Sequence, residues 1–202
     1  MTGQHCLFLG DSITDAGHLW EEDPRLLGNG FVRKISEAEA FSSAHIVNRG
    51  QDGFTSAALW RLVQRMTDLS SFDTITMLIG VNDLPVAYYT DPGWITTAFA
   101  PSVRALLDRL TAAAPQRLFV MEPFLFTPPD SHSHLLPLLL QEQQILQAYA
   151  AACDAVYIPL QEALQAAIDR LGTAAVTTDG IHLTPAGNQI LADAWIRSCL
   201  RE

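Results

Sequence analysis

Short apolar runs punctuate the chain at residues 6–9, 45–48, 74–79, 118–121 and 155–158, each too brief and too continuous for an amphipathic helix. Such runs read as strands buried on both faces, the pattern of a parallel sheet. Between them, residues 30–39, 56–66, 95–114, 138–152, 160–171 and 185–199 have helical character. Strand and helix therefore alternate, which predicts an α/β fold: a flavodoxin-like α/β/α sandwich with a parallel sheet of about five strands joined by right-handed crossovers. The most apolar tract, residues 135–152, is broken by Pro137 and by Gln141-Glu142-Gln143-Gln144, so it predicts a core-facing helix and not a bilayer span. Asp91-Pro92-Gly93 and Thr127-Pro128-Pro129-Asp130 read as turns between elements. With no internal repeat and no long linker, one domain over residues 1–202 is expected.

Charge narrows the partners. Twelve basic residues against 22 acidic ones give a net charge of −10, which repels phosphate backbones and anionic lipid surfaces and makes nucleic acid an unexpected partner. The chain is 49% hydrophobic, enough to bury a sizeable core. Cys6, Cys153 and Cys199 are an odd count at wide spacings and fit neither a disulfide framework nor a zinc motif. The first six residues lack a basic stretch followed by a long apolar one, so the expected compartment is the cytoplasm. A homo-oligomer is left open.

Chemistry enters where the first apolar run stops, at Gly10-Asp11-Ser12. A serine on a strand-to-helix turn presents its hydroxyl at the carboxyl edge of the sheet and its N–H to an anion; the same residues also cap helices. Near the other end, Asp179 and His182 stand three residues apart, so the carboxylate can orient an imidazole that takes a proton from a serine. Taken alone, that pair could merely cap the last helix. Gly50, after the second strand, leaves its N–H unhindered, and Asn82, after the third, offers a side-chain amide. With the Ser12 N–H, these are candidate donors to an oxyanion. Asp15 reads as a first-turn dipole partner. His132 and His134 lack an obvious third ligand for a metal, and Trp20, Trp60 and Trp94 read as core or rim residues.

In order and spacing, the blocks Gly10-Asp11-Ser12, Asn48-Arg49-Gly50, Gly80-Val81-Asn82-Asp83 and Asp179-Gly180-Ile181-His182 resemble those of the SGNH hydrolases, the GDSL lipase/acylhydrolase family. The resemblance implies serine-dependent ester hydrolysis with no metal and no cofactor. Ser12 would be the nucleophile, His182 the base, Asp179 its partner, and Ser12, Gly50 and Asn82 the oxyanion hole. Gly28-Asn29-Gly30-Phe31-Val32 and Met121-Glu122-Pro123-Phe124 look like the bacterial branch of acetylxylan esterases and carbohydrate deacetylases. Thr178, however, stands where that branch has an aromatic residue, and Leu84-Pro85 follows Asn82-Asp83 where an aromatic residue is expected. The expected partner is a small-molecule ester, acetyl esters first and acetylated sugars among them. The alternatives are a thioesterase or lysophospholipase with longer acyl preference, whose pocket depth would depend on loops at 85–93 and 124–133, and a non-catalytic binding protein.

Overall fold

The computed structural model describes residues 3–18, 26–127 and 130–201, so Trp20 and the Pro128-Pro129 pair lie outside the described residues. Strands β1 (His5–Gly10), β2 (His45–Gly50), β3 (Thr74–Leu78), β4 (Arg117–Met121) and β5 (Val156–Ile158) form a parallel sheet in the order β2-β1-β3-β4-β5. The α-helices among the described residues are α1 (Ser12–Asp15), α2 (Phe31–Glu37), α3 (Ser56–Val63), α4 (Asp83–Tyr89), α5 (Ala100–Ala112), α6 (Leu136–Ala152), α7 (Gln161–Leu171), α8 (Thr173–Val176) and α9 (Pro185–Leu200).

The central strands β1, β3 and β4 are largely apolar because both of their faces are covered. Cys6, Phe8, Phe119 and Met121 point into one core with residues of α2, α7 and α9. Leu7, Leu9, Ile75, Met77, Leu118 and Val120 point into the other, with residues of α3 and α5. Trp195 of α9 is fully buried against Phe8, Phe41 and Phe119, and its indole N–H donates to Thr76 Oγ1 at 2.8 Å. That bond accounts for the buried Thr76 of β3, and it fixes the helix that follows the His182 turn.

Register places the polar chemistry. Gly10 pairs with Gly50 on one side and with Leu78 on the other, so β2, β1 and β3 end in line. The chain runs outward from β1 to β2 and then returns to β3, which makes the carboxyl end of β1 a switch point, the place where open α/β sheets bind ligands.

Several elements differ from the sequence pattern. The segment after Asn82 is not a loop but helix α4, which accommodates Pro85 as its third residue, where no intrahelical acceptor is required of it. α1 and α8, four residues each, are too short to leave a periodic signature. Residues 95–99 form a π-helical turn leading into α5. In α6 the buried stripe is Leu139, Glu142, Leu146 and Ala150, so Glu142 lies inside the core and not on the polar break.

Candidate active site

Ser12 opens α1 one residue after Asp11, whose carboxylate caps the helix by accepting from the Ile13 N–H at 3.0 Å. As a first-turn residue, Ser12 has a backbone N–H without an intrahelical acceptor. Its Oγ lies 3.0 Å from Nε2 of His182, although 170 residues separate them. The Nδ1 of His182 lies 2.6 Å from Asp179 Oδ2, while Asp179 Oδ1 accepts from the N–H groups of Ile181 (2.9 Å) and His182 (2.7 Å). Burial pushes the Asp179 carboxyl up, but the hydrogen bonds from His182 and Ile181 outweigh it and hold the group below the usual carboxylate range.

Local bonding holds this turn. Thr177 Oγ1 donates to the His182 carbonyl (2.7 Å) and accepts from the Gly180 N–H (2.9 Å), and Thr178 N–H reaches the same carbonyl (2.9 Å). At φ 92°, Gly180 gives its carbonyl to the Phe126 N–H. A Cβ there would stand 2.4 Å from the Phe126 carbonyl oxygen, so the position requires glycine twice over. Both side chains stay open to solvent, His182 at 51% and Asp179 at 49%.

The expected oxyanion donors differ from one another. Asn82 Nδ2 donates one hydrogen to the Phe54 carbonyl at 3.0 Å and keeps a second for a ligand. The Gly50 N–H, in contrast, is donated to Asn48 Oδ1 at 2.9 Å, so it is engaged in the free protein. Gly50 packs on α1 so closely that a Cβ would come 2.2 Å from the Asp15 nitrogen. Asn48 Nδ2 donates in turn to the carbonyls of Thr14 (2.7 Å) and Leu27 (3.0 Å), which latches β2 to the end of α1.

Two further residues shape the site without an individual sequence signal. The first is Asp83, fully buried: its carboxylate accepts from the Ser56 N–H and Oγ–H (2.8 Å each) and from the Trp94 indole N–H (2.7 Å). It thereby ties the start of α3, just past the Gly50 turn, to the Asn82 turn. Burial nevertheless holds its carboxyl above the ordinary range. The second is Glu142, whose carboxyl oxygens have no hydrogen-bond partner among the described residues, and one of them would lie 2.7 Å from a Cβ at Gly80. Burial, reinforced by the charge of Asp83, keeps Glu142 well above the ordinary range. Asp11 is pushed up to about 7, by burial first and by Asp83 as well.

Asp15, read as a dipole partner, pairs with His18. His132 Nδ1 lies 3.4 Å from the Phe126 carbonyl, and His134 Nε2 2.8 Å from the Tyr89 hydroxyl. Among the described residues no group of three or more metal-ligating side chains is assembled. Beside Ser12 and His182 lies a cleft of about 90 Å³ lined also by Ile13, Ala16, Leu183 and Asn188. A larger hollow of about 600 Å³ flanks the amino ends of β4 and β5, at the opposite edge of the sheet, and touches none of this chemistry.

Comparison with known proteins places the chain in a family and matches its fold. The GDSL-like lipase/acylhydrolase family matches residues 8–190. An acetylxylan esterase of Geobacillus stearothermophilus is 23% identical over 207 residues, covering 97% of this chain and 94% of that protein. A crystal structure of acetylxylan esterase from the same organism superposes with a TM-score of 0.84 at 22% identity, over 100% of this chain and 96% of that one. An alpha/beta hydrolase from the metagenome of Lake Arreo, Spain, gives 0.80 at 21% identity, over 100% and 98%. The fold is thus shared across this chain and nearly all of each neighbour.

Proposed function

Because the chain belongs to the GDSL-like lipase/acylhydrolase family and is a carboxylic ester hydrolase, we propose that it cleaves small acyl esters, acetyl esters foremost, with Ser12 as nucleophile. The observation that carries this reading is the relay from Ser12 Oγ to His182 Nε2 (3.0 Å) and from His182 Nδ1 to Asp179 (2.6 Å). His182 takes the Ser12 proton as Oγ attacks the ester carbonyl. The oxyanion is held by the Ser12 N–H and the Asn82 amide, with the Gly50 N–H shared between Asn48 Oδ1 and the substrate. The imidazolium then protonates the departing alkoxide. A water deprotonated by His182 attacks the acyl-serine, and the acid leaves as Ser12 regains its proton.

Three observations support the finer assignment. Catalytic variants of the Geobacillus esterase replace a serine, an aspartate and a histidine, the last two separated by the same interval as Asp179 and His182. The cleft beside Ser12 is small, about 90 Å³, which suits acetyl better than a long acyl chain. The name of that relative favours an acetylated carbohydrate as the substrate class. A variant of the esterase replaces the tryptophan directly before its catalytic aspartate, where this chain has Thr178 before Asp179.

The test is hydrolysis of p-nitrophenyl esters from acetyl to dodecanoyl by wild type and Ser12→Ala. Turnover confined to acetyl and propionyl, and lost by about 10⁴-fold or more in the variant, is expected. Equal or better turnover of octanoyl esters would replace this reading with a thioesterase or lysophospholipase, and Ser12-independent turnover would remove the mechanism.

A further inference from the structure

The wall of the cleft beside Ser12 includes a backbone conformation that its residue type disfavours. Ala16 ends α1 at φ 45° and ψ 37°, the left-handed region in which a Cβ crowds the next carbonyl and glycine is the usual occupant. Two other non-glycine residues among those described have positive φ, Ala114 and Asp154, and both sit on exposed turns. Of the three, Ala16 is the one that lines a cavity with Ser12 and His182. An alanine where glycine fits better, beside Ser12 and His182, points to a task for its methyl group.

The surroundings hold that methyl in place. The Ala16 N–H donates to the Ser12 carbonyl at 2.9 Å, and its own carbonyl accepts from the Asn29 N–H at 2.8 Å. Gly30 approaches so closely that a Cβ there would be 2.6 Å from the Cβ of Ala16. The alanine side chain therefore has no room to withdraw towards residues 28–30. Ile13 and Leu183 add apolar lining, and the amide hydrogens of Asn188 are spent on the Leu183 and Thr184 carbonyls at 3.1 Å each.

We infer that this cleft receives the acyl group of the ester and that Ala16 is the specificity-determining residue that sets its depth. The inference rests on Ser12 being the nucleophile. An apolar lining with its amide donors already used suits a hydrocarbon terminus. At about 90 Å³ the cleft suits a short acyl terminus better than a sugar ring, so a carbohydrate leaving group lies outside it. The alanine methyl limits the acyl group to two or three carbons; glycine would open room for roughly one more methylene and relax the backbone as well.

Acyl-chain and leaving-group profiles are measured side by side for wild type, Ala16→Gly and Ser12→Ala, using p-nitrophenyl acetate, propionate, butyrate and hexanoate, together with acetates of methanol, butanol and a methyl xyloside. The Ala16→Gly variant is expected to raise the ratio of kcat/KM for butyryl over acetyl by about tenfold, the discrimination a methylene provides in an apolar pocket, and to leave the ranking of the alcohols as it is. An unchanged acyl ratio in folded Ala16→Gly, or a shift that appears in the alcohol series instead, overturns the inference. If Ala16→Gly does not fold, Ile13→Val carries the test, with a smaller shift in the same direction expected and no shift overturning it. Failure of the underlying mechanism is read separately: Ser12→Ala would then hydrolyse the series as fast as wild type, and the acyl pocket would fall with it.

Discussion

The two flanks of Ser12 hold carboxyl groups in opposite states. On one side Asp179 is half exposed, accepts three hydrogen bonds and is held below the ordinary range. On the other, Asp83 and Glu142 are buried and pushed up; so is Asp11, the residue before Ser12, to about 7. Donors alone do not explain the difference, because Asp83 also accepts three. Access to water decides it: donors that overcome a small desolvation penalty at Asp179 are outweighed by a large one at Asp83. Thus the flank beside His182 carries a negative charge that would favour an imidazolium. Around the Asn82 turn burial disfavours ionised carboxyls, so an oxyanion formed there would depend on the Ser12 N–H and Asn82 amide donors.

Removing the charge from the exposed flank should have the largest effect in this comparison. Asp179→Asn is expected to lower kcat on p-nitrophenyl acetate by 10²- to 10⁴-fold, since the amide neither fixes the Nδ1–H tautomer nor stabilises the imidazolium. A loss of less than tenfold would mean that solvent orients His182 as well as the carboxylate does. On the other flank, Asn82→Ala should lower kcat by about 10²–10³-fold with KM little changed, the mark of a donor used only in the transition state. A rise in KM at constant kcat would make Asn82 a substrate-binding residue instead.

A smaller effect separates position from charge. Asp83→Asn keeps the shape but offers one acceptor oxygen where the carboxylate receives three hydrogen bonds from Ser56 and Trp94. The turns bearing Gly50 and Asn82 would loosen together, and a loss of roughly 10–100-fold in kcat is expected, below that of Asn82→Ala. If Asp83→Asn instead matches wild type in kcat, the clamp between α3 and α4 does not position the oxyanion donors.

How far the sequence revealed these flanks follows from the range of each signal. Buried parallel strands leave unbroken apolar runs, so the sheet was readable, and the chemistry-bearing blocks sit where those runs end. Ser12 and His182 are 170 residues apart, yet each lies in a short block whose residue types limit its chemistry. The supporting residues carry no such mark. Asn48 and Asp83 were visible within their blocks, but that Asn48 takes the Gly50 N–H and that Asp83 binds Ser56 and Trp94 depends on contacts between distant turns. α4 was hidden by Pro85, which ordinarily signals a break and here falls within the first turn. Glu142 was hidden by its neighbours: within Gln141-Glu142-Gln143-Gln144 it looks solvated, and only its spacing from Leu139 and Leu146 turns it inward.

Glu142 offers the smallest effect and the sharpest test of the buried flank. Its pKa is raised by folding, so its stabilising contribution is fully present below the unfolded carboxylate range and disappears as pH rises through the folded value. Asp11 and Asp83 have the same sign, whereas Asp179, lowered by folding, contributes above its unfolded value and loses that contribution in acid. Tm should therefore fall between pH 5 and pH 8, the window in which Asp11 titrates at about 7. Glu142→Gln has no proton to lose. Its Tm should match wild type within a few degrees at pH 5 and decline less towards alkaline pH, each kcal/mol being worth about 2–4 °C in a chain of this length. A steeper alkaline decline in Glu142→Gln than in wild type would show that ionised Glu142 is stabilised by a partner in the fold. The buried flank would then carry charge, and the contrast with Asp179 would lose its electrostatic basis.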